Sequence, residues 1–209
     1  MFQGLPNIGA TCWLNALVQC MRVSREWTEK SDDPFTIEFL KLVRGDTDDT
    51  THFLKELPMD PFGAGPNDSQ EALMYILDRL ERTIGLKTFT GKVKQIVIYP
   101  GGRSVTVNPC SVWFHQDKDD IFSNYEDSTG KIHNVAAIQR ELVEVPEVLI
   151  SDRVTDELFG KKLIGIVHWS MGHYVAFVKY NDDWYCANDS SVTSASPILR
   201  GYVGFYSSR

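Results

Sequence analysis

Apolar residues recur at helical spacing in three stretches of the first half of the chain. After Cys12, the positions Leu14, Leu17, Val18 and Met21 share one helical face, and residues 35–43 repeat the pattern. A third helix runs from Asp68 or Ser69 to about Ile84, with Leu73, Ile76, Leu77 and Leu80 on its apolar side. Between the last two, residues 57–66 (LPMDPFGAGP) are too dense in Pro and Gly for regular structure. From about Lys92 the period changes. Short alternating or apolar runs at 93–99, 104–107, 111–114, 141–145, 148–150, 163–169, 174–180, 184–187 and 202–206 read as strands. Residues 100–103 turn the first pair into a hairpin and residues 181–183 turn another, while 116–120 and 124–130 read as surface loop. Helices followed by an antiparallel sheet predict an α+β chain in a single domain over 1–209. Its helical part covers 1–91 and its sheet part 92–209, with a hairpin at about 92–115.

Composition narrows the classes. A chain of 209 residues, 43% apolar and 23% charged, suffices for one sizeable core. No run approaches the roughly 18 apolar residues of a membrane span, and the first residues have neither the basic region nor the apolar core of a secretion signal. The expectation is an intracellular protein, cytoplasmic or nuclear or both, with no membrane partner. The four cysteines, Cys12, Cys20, Cys110 and Cys186, contain no CxxC pair, which argues against a disulfide framework and a structural zinc; no metal and no cofactor is expected. A net charge of −7 without a Lys/Arg cluster disfavours nucleic acid. It suits a basic protein surface as partner, or solubility alone. A monomer is expected.

The chemistry gathers at Cys12. A thiol attacks only as thiolate, and a helix N-terminus or a His partner supplies that state. Cys12 falls in the first turn of its predicted helix, with Thr11 as a candidate cap. Far downstream, His173 opens a strand after Gly172, and Asn188 ends the next strand across a short turn, so pairing of the two brings these side chains together. A nucleophile, an imidazole to take and return its proton, and a polar group to orient that imidazole are the parts of acyl transfer through sulfur. The order Cys, His, Asn, with a small residue before Cys12 and an aromatic after it, is similar to that of papain-like proteases.

The match sharpens over longer strings. GLPNIGATCWLNALVQC at 4–20 resembles the cysteine box of the ubiquitin-specific proteases, and GHYVAFVKYNDDWYCANDSSVT at 172–193 resembles their histidine box. DSQEALMYILDRL at 68–80 is similar to the family's central Asp-x-x-Glu helix, and GYVGFY at 201–206 to its final strand. The resemblance implies a papain-like cysteine protease fold: a helical thumb-like half packed on an antiparallel palm, with a reduced finger hairpin. It implies hydrolysis after the C-terminal Gly-Gly of ubiquitin or a ubiquitin-like modifier, with those modifiers and their conjugates as partners. Cys12 is then the nucleophile, His173 the general base and later acid, and Asn188 the orienting residue. Asn7 joins the Cys12 N–H as oxyanion donor, an interaction whose removal in another enzyme costs roughly 2.7–4 kcal/mol. Asp189 assists the oxyanion side or replaces Asn188. Asp68 and Glu71 face the arginines of the modifier tail. Gly172 and Tyr174 stand on the tail's path, Gly172 giving room to its Gly-Gly end.

Plainer readings stand beside these. Asp68 is also a helix N-cap, a role compatible with the other. His168 reads as a packed structural histidine, Trp13, Trp169 and Trp184 as core or cleft wall, and Cys20, Cys110 and Cys186 as buried small apolar residues. The chain departs from the family in lacking the two CxxC pairs of the zinc-bound fingers, in a shorter loop at 168–172, and in Trp13 and Ala16 where Tyr and Ser are usual. Two alternatives stay open: the same chemistry on a ubiquitin-like modifier or a Gly-Gly polyprotein junction, and an inactive ubiquitin-binding module.

Overall fold

The computed structural model describes residues 3–63, 65–115, 120–122, 125–133 and 136–208. Five helices come first: α1 (Cys12–Ser24), α2 (Pro34–Arg44), α3 (Thr51–Glu56), the single turn α4 (Met59–Phe62) and α5 (Ser69–Ile84). The strands follow as β1 (Gly91–Tyr99), β2 (Gly102–Cys110), β3 (Asp120–Phe122), β4 (Tyr125–Glu126), β5 (Ile132–His133), β6 (Ala136–Glu144) and β7 (Val148–Ser151). The last are β8 (Glu157–Leu158), β9 (Lys161–Ser170), β10 (His173–Tyr180), β11 (Asp183–Asn188), β12 (Ser191–Ser194) and β13 (Val203–Ser207). Helix plus antiparallel sheet is the α+β class the residue pattern predicts.

Local chemistry sets the helix ends. α2 starts at the Asp33 cap, which accepts the Thr36 N–H, followed by Pro34, and it stops at Gly45 with φ +78°. α5 starts at Asp68, whose carboxylate accepts the N–H groups of Gln70 and Glu71, and stops at Gly85. α1 differs. Every residue from Cys12 to Met21 is buried, so it is a central helix rather than a surface one. One side packs on β9, β10 and β13, the other on α2 and α5.

The large sheet runs β12-β11-β10-β9-β13-β7, with β8 paired to β9. A separate sheet, β2-β1-β6-β3, carries the hairpin, whose closing pair is Tyr99 with Gly102. β4 and β5 pair with each other. No helix among the described residues is long and apolar enough to cross a membrane.

Several expectations need correction. Residues 57–66 contain the turn α4, held because Phe62 is buried against Trp13 and Tyr75. Residues 111–114 form no strand; Val112 and Trp113 turn into the core, and only Trp113 bridges to Ser151. Of the expected surface loops, 116–119 and 124 lie outside the described residues, residue 120 begins β3 and 125–126 form β4, while 127–130 form a turn outside any strand. α3 and β12 have no counterpart in the expectation. The hairpin and the strands along 141–145, 148–150, 163–169, 174–180, 184–187 and 202–206 are present with ends shifted by a few residues, β6 starting five residues earlier.

Candidate active site

Cys12 is the first residue of α1 and is 7% exposed. Its backbone N–H is one of those a helix leaves without an intrahelical acceptor. Thr11 occupies the cap position but makes no side-chain cap bond. Its hydroxyl is taken elsewhere: it accepts the Ile8 N–H at 3.2 Å and donates to Asn7 Oδ1 at 3.3 Å. The expected Thr11 cap is therefore replaced by a loop clasp.

Asn7 is the hub of that clasp. Its Oδ1 also accepts the N–H groups of Gly9 and Thr11, at 3.3 and 3.1 Å. With the oxygen fixed inward, the amide NH2 points away and donates to Asp189 Oδ2 at 3.0 Å. Gly9 (φ +106°) and Ala10 (φ +54°) bend the loop through the left-handed region just before Cys12.

His173 begins β10 and Asn188 ends β11. The register pairs Ala176 with Ala187, so one step further Asn188 lies diagonal to His173 on the same face. His173 Nε2 stands 2.8 Å from Asn188 Oδ1. A carboxamide oxygen only accepts, so Nε2 carries the proton and Nδ1 keeps the lone pair a base needs. Asp189 Oδ2 is 3.9 Å from the same Nε2. Asn188, rather than Asp189, holds the ring.

Asp189 instead ties three segments together. Its Oδ1 accepts from Asn15 Nδ2 at 2.8 Å, its Oδ2 from Asn7, and its backbone carbonyl from the Leu5 N–H at 2.9 Å. Asn15, only 2% exposed, also donates to the carbonyls of Leu5 and Pro6. The strand-to-chain approach is so close that a Cβ on Gly4 would lie 2.4 Å from Ser190 backbone atoms. Asn15 escaped the sequence reading; its amide shares the buried helix α1 with that of Gln19, and the residue pattern does not tell the two apart.

A cleft of about 520 Å³ opens at Cys12, walled by Trp13, Asp68, Trp169, Tyr174 and Tyr202. Asp68 caps α5 through Oδ1, at 2.8 and 3.0 Å from the two N–H groups, and Oδ2 accepts the Tyr202 hydroxyl at 2.5 Å. Burial and then the Asp68 carboxylate push the Tyr202 phenol far up, and the Tyr174 phenol is raised for the same two reasons. Both phenols stay protonated, and Tyr202 is a permanent donor to Asp68. Glu71 lies exposed on the first turn of α5. Gly172 sits at φ +81° in the turn before His173, and a Cβ there would meet no protein atom within 4 Å, so the turn conformation accounts for the glycine.

The remaining candidates fall outside the site. His168 is anchored by its Nδ1 to the Arg200 carbonyl at 2.8 Å. Burial raises the Cys20, Cys110 and Cys186 thiols, which keeps them protonated. Among the described residues, no group of three or more His, Cys, Asp or Glu side chains is placed to hold a metal ion.

No protein-family model and no curated protein matches the sequence. Solved structures do match its shape. A chain of the SAGA Ubp8/Sgf11/Sus1/Sgf73 DUB module bound to ubiquitin aldehyde is 18% identical, with a TM-score of 0.71 over 98% of this chain and 69% of that one. A form of the module with one residue of Ubp8 substituted, bound to monoubiquitin, gives 18% and 0.70, covering 98% and 68%. A yeast SAGA DUB module with an Sgf73 mutant gives 17% and 0.70, again covering 98% and 68%. The chain shares the fold of the matched DUB-module chain over nearly its whole length. At this identity the likeness is one of fold, and the chemistry rests on the side chains above.

Proposed function

We propose that this chain is a thiol hydrolase that removes ubiquitin by cutting after its C-terminal Gly-Gly. The observation that carries the reading is the 2.8 Å contact of His173 Nε2 with Asn188 Oδ1, which leaves Nδ1 as base beside a cleft that opens at Cys12. Nδ1 takes the Sγ proton and the thiolate attacks the terminal glycine carbonyl. The oxyanion receives the Asn7 amide and the Cys12 N–H, both at the positive end of α1. As the tetrahedral intermediate collapses, the imidazolium gives its proton to the departing lysine amine, leaving a thioester on Cys12. Water, deprotonated by His173, then releases the modifier carboxylate and restores the thiol. In this reading the helices act as thumb, the large sheet as palm and the hairpin sheet as fingers of one catalytic domain, working as a monomer.

Support for ubiquitin as partner comes from the matched structures, described as bound to ubiquitin aldehyde or monoubiquitin. The exposed stripe of α5 adds to it. Glu71 follows the cleft-lining Asp68 by three residues, and Met74, Asp78 and Glu81 line a groove of about 540 Å³ between α5 and the hairpin. Asp78 is paired with Arg82 and Glu81 accepts the Thr90 hydroxyl, so exposed Met74 and Glu71 carry the apolar and acidic parts of a match to a basic surface with an apolar centre. One observation favours a ubiquitin-like modifier as the second reading. Asp68 is already engaged by two N–H groups and the Tyr202 hydroxyl, so the main carboxylate for a tail arginine is Glu71.

The test is labelling of the purified chain with a panel of modifiers, each ending in a thiol-reactive group in place of the terminal carboxylate, with Cys12→Ala as control. Labelling of Cys12 by the ubiquitin probe is the expected result. Labelling by another modifier alone would replace the substrate, and binding of ubiquitin without labelling would make the chain a binding module.

A further inference from the structure

Tryptophan carries the largest apolar surface of any side chain, and Trp13, Trp27 and Trp113 are accordingly buried. Trp169 is 51% exposed, on the wall of the cleft that opens at Cys12. An exposed aromatic in a concave site marks a surface that a ligand covers. The backbone presents it firmly. Trp169 pairs with Tyr174 in the β9–β10 ladder, which puts both on one face, and the ladder continues to Ser170 with His173. Met171 and Gly172 then close the hairpin at φ +52° and +81°, a two-residue turn of the kind that matches strand twist. Trp169 is thus set by the same strand pairing that sets His173. The neighbouring walls are equally fixed: Trp13 is 1% exposed, and Tyr202 packs on Tyr174 at 6.0 Å while its hydroxyl is held by Asp68.

We propose that Trp169 is a specificity-determining residue of this site, covering the last two residues before the scissile bond and admitting only those without side chains. The inference rests on the thiol-hydrolase reading. A Gly-Gly segment offers flat peptide planes that lie against an indole face, whereas a Cβ at either position lifts the segment off that face and away from Cys12. Because the wall is preformed, its contact area is gained without the ordering cost of a closing loop. That gain is made on binding, so it acts chiefly through KM.

The experiment measures steady-state hydrolysis of ubiquitin carrying a C-terminal fluorogenic amide, beside counterparts ending in Ala-Gly and Gly-Ala, by wild type, Trp169→Ala and Trp169→Phe. Wild type should prefer Gly-Gly by about 100-fold, since a single methyl group is worth up to about this much in a tight site. Trp169→Ala should narrow that preference by about tenfold and raise KM for the Gly-Gly substrate by about tenfold, with Trp169→Phe restoring most of both. Melting temperatures are read alongside; should Trp169→Ala fail to fold, Trp169→Leu, apolar without a flat face, carries the same comparison. An unchanged preference in a folded variant overturns this inference and leaves the hydrolase reading standing. Absence of turnover by wild type on all three substrates overturns the hydrolase reading, and this inference with it.

Discussion

Around Asn7 the site is held by directed polar bonds: Asn7, Thr11, Asn15 and Asp189 form one web with bonds of 2.8 to 3.3 Å that joins the N-terminal loop, α1 and the end of β11. Around Trp169 the cleft is shaped instead by ring faces, with the Tyr202 hydroxyl to Asp68 as its polar tie. The first region fixes directions, which is what a developing oxyanion requires. The second fixes a cross-section, which is what selects a narrow tail. Substitutions should therefore separate, with the polar web acting on kcat and the aromatic wall on KM.

The largest effect is expected at the nucleophile. Cys12→Ala should abolish turnover while the Kd for ubiquitin, measured by calorimetry, stays within about threefold, because neither region is altered. A parallel loss of binding would erase the distinction between them. Next, His173→Ala and Asn7→Ala should each lower kcat by about 10²- to 10³-fold with KM little changed in stopped-flow assays. Asn188→Ala should cost less than His173→Ala, since Asp189 Oδ2 at 3.9 Å is placed to take up the ring. Equal losses would make Asn188 the sole orienting group. Asn15→Ala sharpens the comparison from behind the site. It touches no substrate, yet it should lower kcat by about tenfold through a loosened Asp189, while Asn15→Asp should not rescue because it sets two carboxylates together.

Smaller still is Tyr202→Phe, which removes one neutral-to-charged hydrogen bond. It should cost about 1–3 kcal/mol of stability by denaturant titration and leave kcat within about twofold. The least effect on activity should come from the β4–β5 turn, which belongs to a two-stranded sheet of its own and contributes no residue to either region. There the Thr129 hydroxyl and then His133 hold the Asp127 carboxyl well below the usual carboxylate range. With the folded value below the unfolded one, its contribution is complete above about pH 4 and fades as the pH falls further. Protection of the Thr129 amide, its exchange rate set against the open-chain rate at the same pH, should fall in acid, and Asp127→Asn should abolish that dependence without changing kcat.

How much of this was legible in the residues follows the same division. The helices α1, α2 and α5 announce themselves by period, and α5 also by its Asp68 cap. Cys12, His173 and Asn188 are legible because strand order and a short turn suffice to bring the last two together. α3 is six residues long, too short for a period to show, and β12 is a polar edge strand with the same difficulty. The run 111–114 misleads because an apolar stretch suits a buried crossing as well as a strand. Thr11 misleads because its cap geometry is overridden by Asn7 and Ile8, partners that only the folded loop supplies. Asn15 and Trp169 needed the fold: each has its meaning from a residue more than one element away, Asp189 for the first and the open cleft for the second.

The most direct test is acid-quenched mass spectrometry of the chain mixed with a lysine-linked ubiquitin conjugate. The account predicts a transient species heavier by ubiquitin less one water, with the terminal glycine carbonyl mapped to Cys12, appearing before free ubiquitin accumulates. Cleavage without that thioester, or an adduct on Cys20, Cys110 or Cys186, would contradict it.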